Sequence, residues 1–384
     1  MRSAAAITLA FLGAVVLAGC STIDKLNPFS STPATPKMAE LVPVQTTVAL
    51  DVRWQANVGE AGGFTLVPAR VGESVFAAAR DGSLTRIDNG KPVWKISAGQ
   101  IISGGVGSDG KLVVVGTPKG EVLAFDAASG KEIWRARVSS EVLAAPVVAE
   151  GLVVVRSGDS RIFGLEAVDG KRRWVYQRSS PTLSLRSSGG VLIDGRHTLA
   201  GFPGGKLVAI ANNNGASVWE AAVALPKGST ELERVADIVS IPVRSGNIVC
   251  AAAFQGRVSC FDANSGNSLW SRDMSSSAGL DADAQYIYVT DEKGAVHALD
   301  RNSGASVWRQ GKLSLRGVSR PLIIGDVVAV GDSQGFVHLL RKTDGEFVAR
   351  RATDGSPLRA DMSVTGAGLL LQTESGSLFS LDIR

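Results

Sequence analysis

Few residues in this chain have side chains able to do chemistry, and their spacing limits what they can do. The cysteines are Cys20, Cys250 and Cys260, and the histidines are His197, His297 and His338. A zinc site needs three or four such ligands converging, usually with a pair at short spacing, and no Cys-x-x-Cys is present. No phosphate-binding loop is present, and Gly-x-Ser-x-Gly occurs only at Gly331 to Gly335, in a turn between two repeat strands and not between strand and helix as a nucleophile elbow requires. The sequence therefore offers no catalytic residue and no metal site. Asp88, Asp126, Asp262, Asp300 and Asp382 recur at one slot before a turn, but that slot also holds Glu166, Ala211 and Arg341. An Asp there bonds its own backbone and shapes a turn, so these carboxylates are structural. His297 and His338 share a strand slot that elsewhere holds Leu123, Val208 and Ser259, which makes a ligand role equally unnecessary.

The slots exist because the chain repeats. Gly120 to Trp134 reads Gly-Glu-Val-Leu-Ala-Phe-Asp-Ala-Ala-Ser-Gly-Lys-Glu-Ile-Trp. Copies run from Gly82 to Trp94, Arg161 to Trp174, Gly205 to Trp219, Gly256 to Trp270 and Gly294 to Trp308, with a worn copy from Gly335 to Ala349 and a half copy from Gly376 to Asp382. Each has an alternating apolar run, a turn closed by Gly and a second run, which is the pattern of two strands and a tight turn. Another strand pair precedes most copies, with inner strands expected near Val67 to Val71, Ile101 to Gly107, Val142 to Ala149 and Leu185 to Ile193. The later ones are expected near Val239 to Arg244, Ala278 to Ala282, Val318 to Ile323 and Leu358 to Val364.

All seven tryptophans, Trp54, Trp94, Trp134, Trp174, Trp219, Trp270 and Trp308, occupy one slot, 40, 40, 40, 45, 51 and 38 residues apart. Four-strand units at that period predict an all-β, eight-bladed β-propeller of antiparallel blades, with the tryptophans wedged between neighbouring blades. Trp54 lies in a strand-like run, Thr46 to Trp54, with no copy before it, while the last copy lacks a fourth strand. The N-terminal run is therefore expected to complete the last blade and close the ring.

The composition agrees with one large all-β domain: 384 residues, 45% hydrophobic, 20% charged, with 44 glycines. A net charge of +4 without a basic run argues against nucleic acid. Residues 1–19 read as a signal peptide, with Arg2, an apolar run and Leu17-Ala18-Gly19-Cys20. That tetrapeptide resembles the bacterial lipobox, which implies lipidation of Cys20, and Ser21 after it implies sorting to the outer membrane. Residues 20–45, with Pro28, Pro33, Pro36 and Pro43, read as a flexible tether, and 46–384 as the propeller.

Two connections are long, Gln177 to Gly190 and Glu220 to Ile238. Both join an outer strand to the next inner strand, so they emerge on one face in adjacent sectors and form one patch. Thr230-Glu231-Leu232-Glu233 fits a capping box and predicts a short helix through Ala236. Cys250 and Cys260 flank a turn at Gln255-Gly256. A three-residue loop would set them opposite each other and a two-residue loop on opposite sheet faces, so a disulfide is left open.

The repeat resembles the tryptophan-docking repeat of the PQQ-dependent quinoprotein dehydrogenases. Those enzymes imply adjacent cysteines and calcium ligands, and this chain has no Cys-Cys pair. The lipobox, tether and eight blades together resemble the BamB family of lipoproteins of the outer-membrane β-barrel assembly machinery, most tellingly in Thr182-Leu183-Ser184-Leu185-Arg186 and Gly228-Ser229-Thr230-Glu231-Leu232-Glu233-Arg234-Val235-Ala236-Asp237. That resemblance implies a scaffold without a cofactor, lipid-anchored on the periplasmic face of the outer membrane. Its implied partners are the POTRA domains of BamA, other assembly-complex lipoproteins and unfolded outer-membrane proteins. The implied contacts are Leu183, Leu185, Arg186 and Asp237. Val239 stands where the family pattern has a second Asp.

Overall fold

A computed structural model of the protein describes residues 37–384, and Cys20 with the signal and most of the tether lies outside them. Met38–Arg384 forms one compact unit. The described residues form thirty-two strands in eight four-stranded antiparallel sheets. In blade 1 the strands are Ala69–Val71, Ser74–Ala78, Ser83–Asp88 and Lys91–Ser97. Blades 2 to 7 repeat this order from the innermost strand outward, starting at Gly104–Ser108, Val147–Ala149, Val191–Asp194, Val243–Ser245, Gly279–Ala282 and Leu322–Ile324. Most innermost strands begin later than the sequence pattern suggests. The apolar residues ahead of them, including Val67, Ile241 and Val318, line a central channel of 640 Å³ and lie outside the ladders of their own blades, the Val67 carbonyl accepting the Val106 N–H of blade 2. Burial on the axis gives them a strand-like composition without a ladder.

Blade 8 closes the ring as expected. Its sheet order places Leu50–Asn57 outermost, followed inward by Ser377–Ile383, Gly368–Gln372 and Ser363–Thr365. The closing strand starts at Leu50 instead of Thr46 and pairs antiparallel from Leu50 opposite Ile383 to Asn57 opposite Ser377. Joining the two chain ends in one sheet removes two free edges.

The repeated tryptophan joins blade to blade. The indole Nε1–H of Trp134 donates to the Ala167 carbonyl at 2.8 Å, and Trp94, Trp174, Trp219, Trp270 and Trp308 make the same bond to Ala127, Asn212, Ala263, Arg301 and Lys342. Trp54 lies against Gly90 of blade 1. The turn glycine under each ring is needed twice over: Gly170 has φ +70°, and a Cβ there would stand 2.6 Å from Trp134. A β-bulge precedes the tryptophan in the outer strands that carry one, as at Ile133, skipped between Trp134 opposite Ala124 and Glu132 opposite Phe125. The bulge turns the ring inward and interrupts the outer edge, which discourages pairing between molecules. Asp126, Asp262 and Asp300 act as their slot suggests, Asp126 accepting from the Ser129 N–H at 2.8 Å and its hydroxyl at 2.6 Å. Asp88 instead accepts from the Arg86 guanidinium, and Asp382 pairs within the closing sheet.

Cys250 and Cys260 are opposite each other in the register of Ile248–Ala252 and Arg257–Asp262 and are joined as a disulfide. The Ala253 N–H donates to the Arg257 carbonyl, so the loop is Phe254-Gln255-Gly256, the three-residue alternative.

The tether boundary at residue 45 requires correction, because packing begins at residue 38. Val42 and Val44 pack against a core that includes Trp308, Leu313 and Phe347. A buried charged cluster in blade 7 grips this segment. Asp332 accepts from Arg316 Nε at 2.7 Å and lies 3.0 Å from His338 Nε2, while Arg350 Nε donates to His338 Nδ1 at 3.1 Å. The free ends of both guanidinium groups reach the segment's backbone, Arg316 Nη1 donating to Ala39 O at 3.0 Å and Arg350 Nη1 to Val42 O at 2.7 Å. Pro and Thr content reads as a linker, but carbonyl acceptors need no particular side chain.

Candidate docking face

The two long connections are residues 177–190 and 223–242. The other links between blades are shorter, from residues 274–278 at the short end to 58–68 and 311–321 at the long end. The extra chain is used to build a surface. In the first connection Leu183 and Leu185 are 43% and 39% exposed, and in the second Leu225 and Leu232 are 64% and 67% exposed. Large apolar side chains grouped in this way on a rim cost solubility unless something covers them.

Asp237 has a different place from the one its acidity suggested. It is 1% exposed, and its carboxylate accepts the Leu185 N–H at 2.7 Å and the Gly204 N–H at 3.0 Å. Asp237 therefore fastens one connection to the other and to blade 4, and it offers no carboxylate to the surface. Its burial leaves no trace in residue types, because its partners are backbone amides. Val239, at the departed position, contributes its carbonyl to the Ser187 hydroxyl at 3.0 Å. Gly189 lies so close to that carbonyl that a Cβ would come within 2.1 Å of it.

Arg186 is exposed and held by a residue that the sequence did not single out. Its Nε and Nη2 donate to the two oxygens of Glu141 at 2.8 Å each, a bidentate pair. The hydrogen bond from Arg186 lowers the Glu141 pKa, and the pairing raises that of Arg186. Glu141 sits in the blade 2 to blade 3 link, with no local motif to mark it.

The predicted helix is a single turn. Thr230 Oγ1 accepts the Glu233 N–H at 3.2 Å and the Glu233 carboxylate accepts the Thr230 N–H at 3.1 Å, so the capping box forms. No helix follows, because Val235 and Ala236 turn inward and are buried at 4% and 2% exposure. That burial leaves Leu232 at the crest of the turn.

His297 and His338 are structural in their contacts. His297 Nε2 lies 2.8 Å from Asp291 Oδ2, matching the His338 and Asp332 pair one blade later. Among the described residues no three His, Cys, Asp or Glu side chains converge as a metal site. The channel is lined mainly by Gly, Ala, Ser and Val. These residues do not fit a calcium-bound quinone, which needs clustered acidic and amide ligands.

A family model described as outer membrane protein assembly factor BamB matches residues 80–310. The protein of that name from Bordetella pertussis is 41% identical over 372 residues, covering 96% of each chain. The Escherichia coli K12 protein of that name is 33% identical over 385 residues, covering 96% of this chain and 97% of its own. Among solved structures, BamB from Moraxella catarrhalis superposes with a TM-score of 0.82 at 29% identity, covering 87% of this chain and all of that one. Quinohemoprotein alcohol dehydrogenase from Comamonas testosteroni gives a TM-score of 0.68 at 13% identity over 86% of this chain and 76% of its own, a likeness of fold alone. By family match, full-length identity and blade-for-blade fold, this chain belongs to the BamB family of outer membrane protein assembly factors.

Proposed function

We propose that the protein is a non-enzymatic scaffold lipoprotein of the outer-membrane β-barrel assembly machinery. It binds the periplasmic POTRA domains of BamA and assists insertion of outer-membrane proteins. The observation that carries this reading is the docking face: Leu183, Leu185 and Arg186 project from one long connection while buried Asp237 of the other holds their backbone in place. Apolar groups around a positioned guanidinium form the arrangement of a binding hot spot, where they exclude water from a charged contact. Rigid anchoring lowers the ordering cost of association.

In this reading Cys20 carries the lipid anchor, and the chain hangs at the periplasmic face of the outer membrane. Acyl chains supply the hold, each buried CH₂ contributing about 0.8 kcal/mol. Other assembly-complex lipoproteins and unfolded outer-membrane proteins are further partners by the same resemblance. The test is affinity purification of the tagged, full-length protein from solubilised outer membranes. Recovery of the BamA partner supports the reading, and its absence under conditions that keep the complex intact contradicts it.

A further inference from the structure

Beneath Leu185 lies a small cleft whose walls include Arg156, Ser187, Pro203 and Asp237. Arg156 ends the blade 3 strand Leu152–Arg156 and is 8% exposed. Its Nη1 is buried and meets no hydrogen-bond acceptor among the described residues. The guanidinium sits 5.8 Å from the Phe202 ring centroid. Asp237 is close enough to oppose the burial that draws the guanidinium pKa down to about 10, but both its carboxylate oxygens already take backbone N–H groups. Asp237 thus offsets part of the cost of burying the Arg156 charge, while the Nη1 donor has no acceptor. A buried donor without an acceptor is costly, and such groups in native proteins usually have a solvent or ligand partner.

The cleft measures 20 Å³, about the room that one water-sized group needs. A carboxylate brought there would bury a second negative charge beside Asp237, whereas a neutral oxygen would not. We propose that Arg156 is a further binding residue of the docking face: with Leu185 and Ser187 it forms a subsite for one uncharged acceptor oxygen, a backbone carbonyl of an extended segment of the partner. This rests on the reading that Leu183, Leu185 and Arg186 meet the BamA partner. The subsite lies under that contact, so a segment covering Leu185 brings its own carbonyls to the cleft mouth.

The experiment measures binding of purified BamA from the same organism to the detergent-solubilised full chain, as wild type and as Arg156→Met, with melting temperatures recorded for both. Met keeps the length and the packing on Phe202 but cannot donate. The expected result is binding weakened about tenfold or more, as for loss of a charged hydrogen bond, at a melting temperature near wild type. Wild-type affinity in a folded Arg156→Met protein overturns the proposal and leaves Arg156 satisfied by solvent. Should Arg156→Met not fold, Arg156→Gln, which keeps a donor but not the reach, carries the same expectation and the same refutation. Failure of the wild type itself to bind would instead refute the underlying partner reading.

Discussion

The Asp237 carboxylate accepts the backbone N–H of Leu185 at 2.7 Å across 52 positions of sequence. Through this bond a buried acid in one connection sets the position of an exposed leucine in the other. The division of labour between presenting and presented residues follows from it.

Replacing Asp237 with Ala should therefore loosen residues 183–189 without removing any surface group. Two part-buried amides, those of Leu185 and Gly204, lose their acceptor, at a cost of up to about 1–3 kcal/mol each. Hydrogen exchange should accelerate at Leu185 and Gly204, and partner binding should weaken. Unchanged protection at both amides would refute this account of the loop.

Ring closure predicts the effect of removing the N-terminal strand. Deleting residues 46–57 should leave Ser377–Ile383 with an unpaired edge and cause aggregation or a large fall in melting temperature. A truncated protein that melts like the full chain would contradict closure by this strand.

The cluster that grips the N-terminal segment should make stability fall in mild acid. Burial pushes the His338 pKa below 6.5, Asp332 opposes that, and Arg350 and Arg316 add to it. Nδ1 must also stay unprotonated to accept from Arg350. As pH falls through 6.5 the unfolded chain takes up a proton that the folded chain refuses, so stability present above that pH is lost below it. Asp332 adds a second loss at lower pH. Burial raises its pKa, but hydrogen bonds from His338, the Phe336 amide and Arg316 outweigh this and hold it at about 2. Denaturation midpoints of wild type and His338→Gln, compared at pH 7.5 and 5.5, provide the check. The wild type should lose more stability over that interval than the variant, and an equal loss in both would assign the effect elsewhere.

The anchor prediction concerns Cys20. Cys20→Ala should leave the protein unlipidated and move it out of the outer-membrane fraction. Unchanged fractionation, or a wild-type N-terminal peptide without acyl mass, would refute it.

What could be read from sequence followed from what repetition preserves. The Trp slot, the turn Gly and the alternating runs had to recur, because every blade must solve the same packing problem against its neighbour. The eight blades and their closure were therefore legible. Leu183, Leu185 and Arg186 were singled out by family resemblance and an overlong link, and they lie exposed. The burial of Asp237 was not legible, since the amides of Leu185 and Gly204 carry no sequence mark. Arg156 was hidden for another reason: one Arg closing Leu152-Val153-Val154-Val155 reads as an exposed strand end. Docking of Ala39 and Val42 was invisible because the residues that grip them, Arg316 and Arg350, lie some 300 positions away.

In the proposed function Leu183, Leu185 and Arg186 bind the partner while the fold stands without them. Its most direct test is the affinity of the Leu183→Ala, Arg186→Ala double variant for purified BamA, measured beside its circular dichroism spectrum and melting temperature. The Arg186 and Glu141 pair is exposed, and such pairs contribute little to stability. The expected result is a wild-type spectrum, a melting temperature within a few degrees of wild type, and binding lost or weakened by about tenfold or more. Undiminished binding by a folded double variant would place the interface elsewhere on the disc and refute the role of these residues.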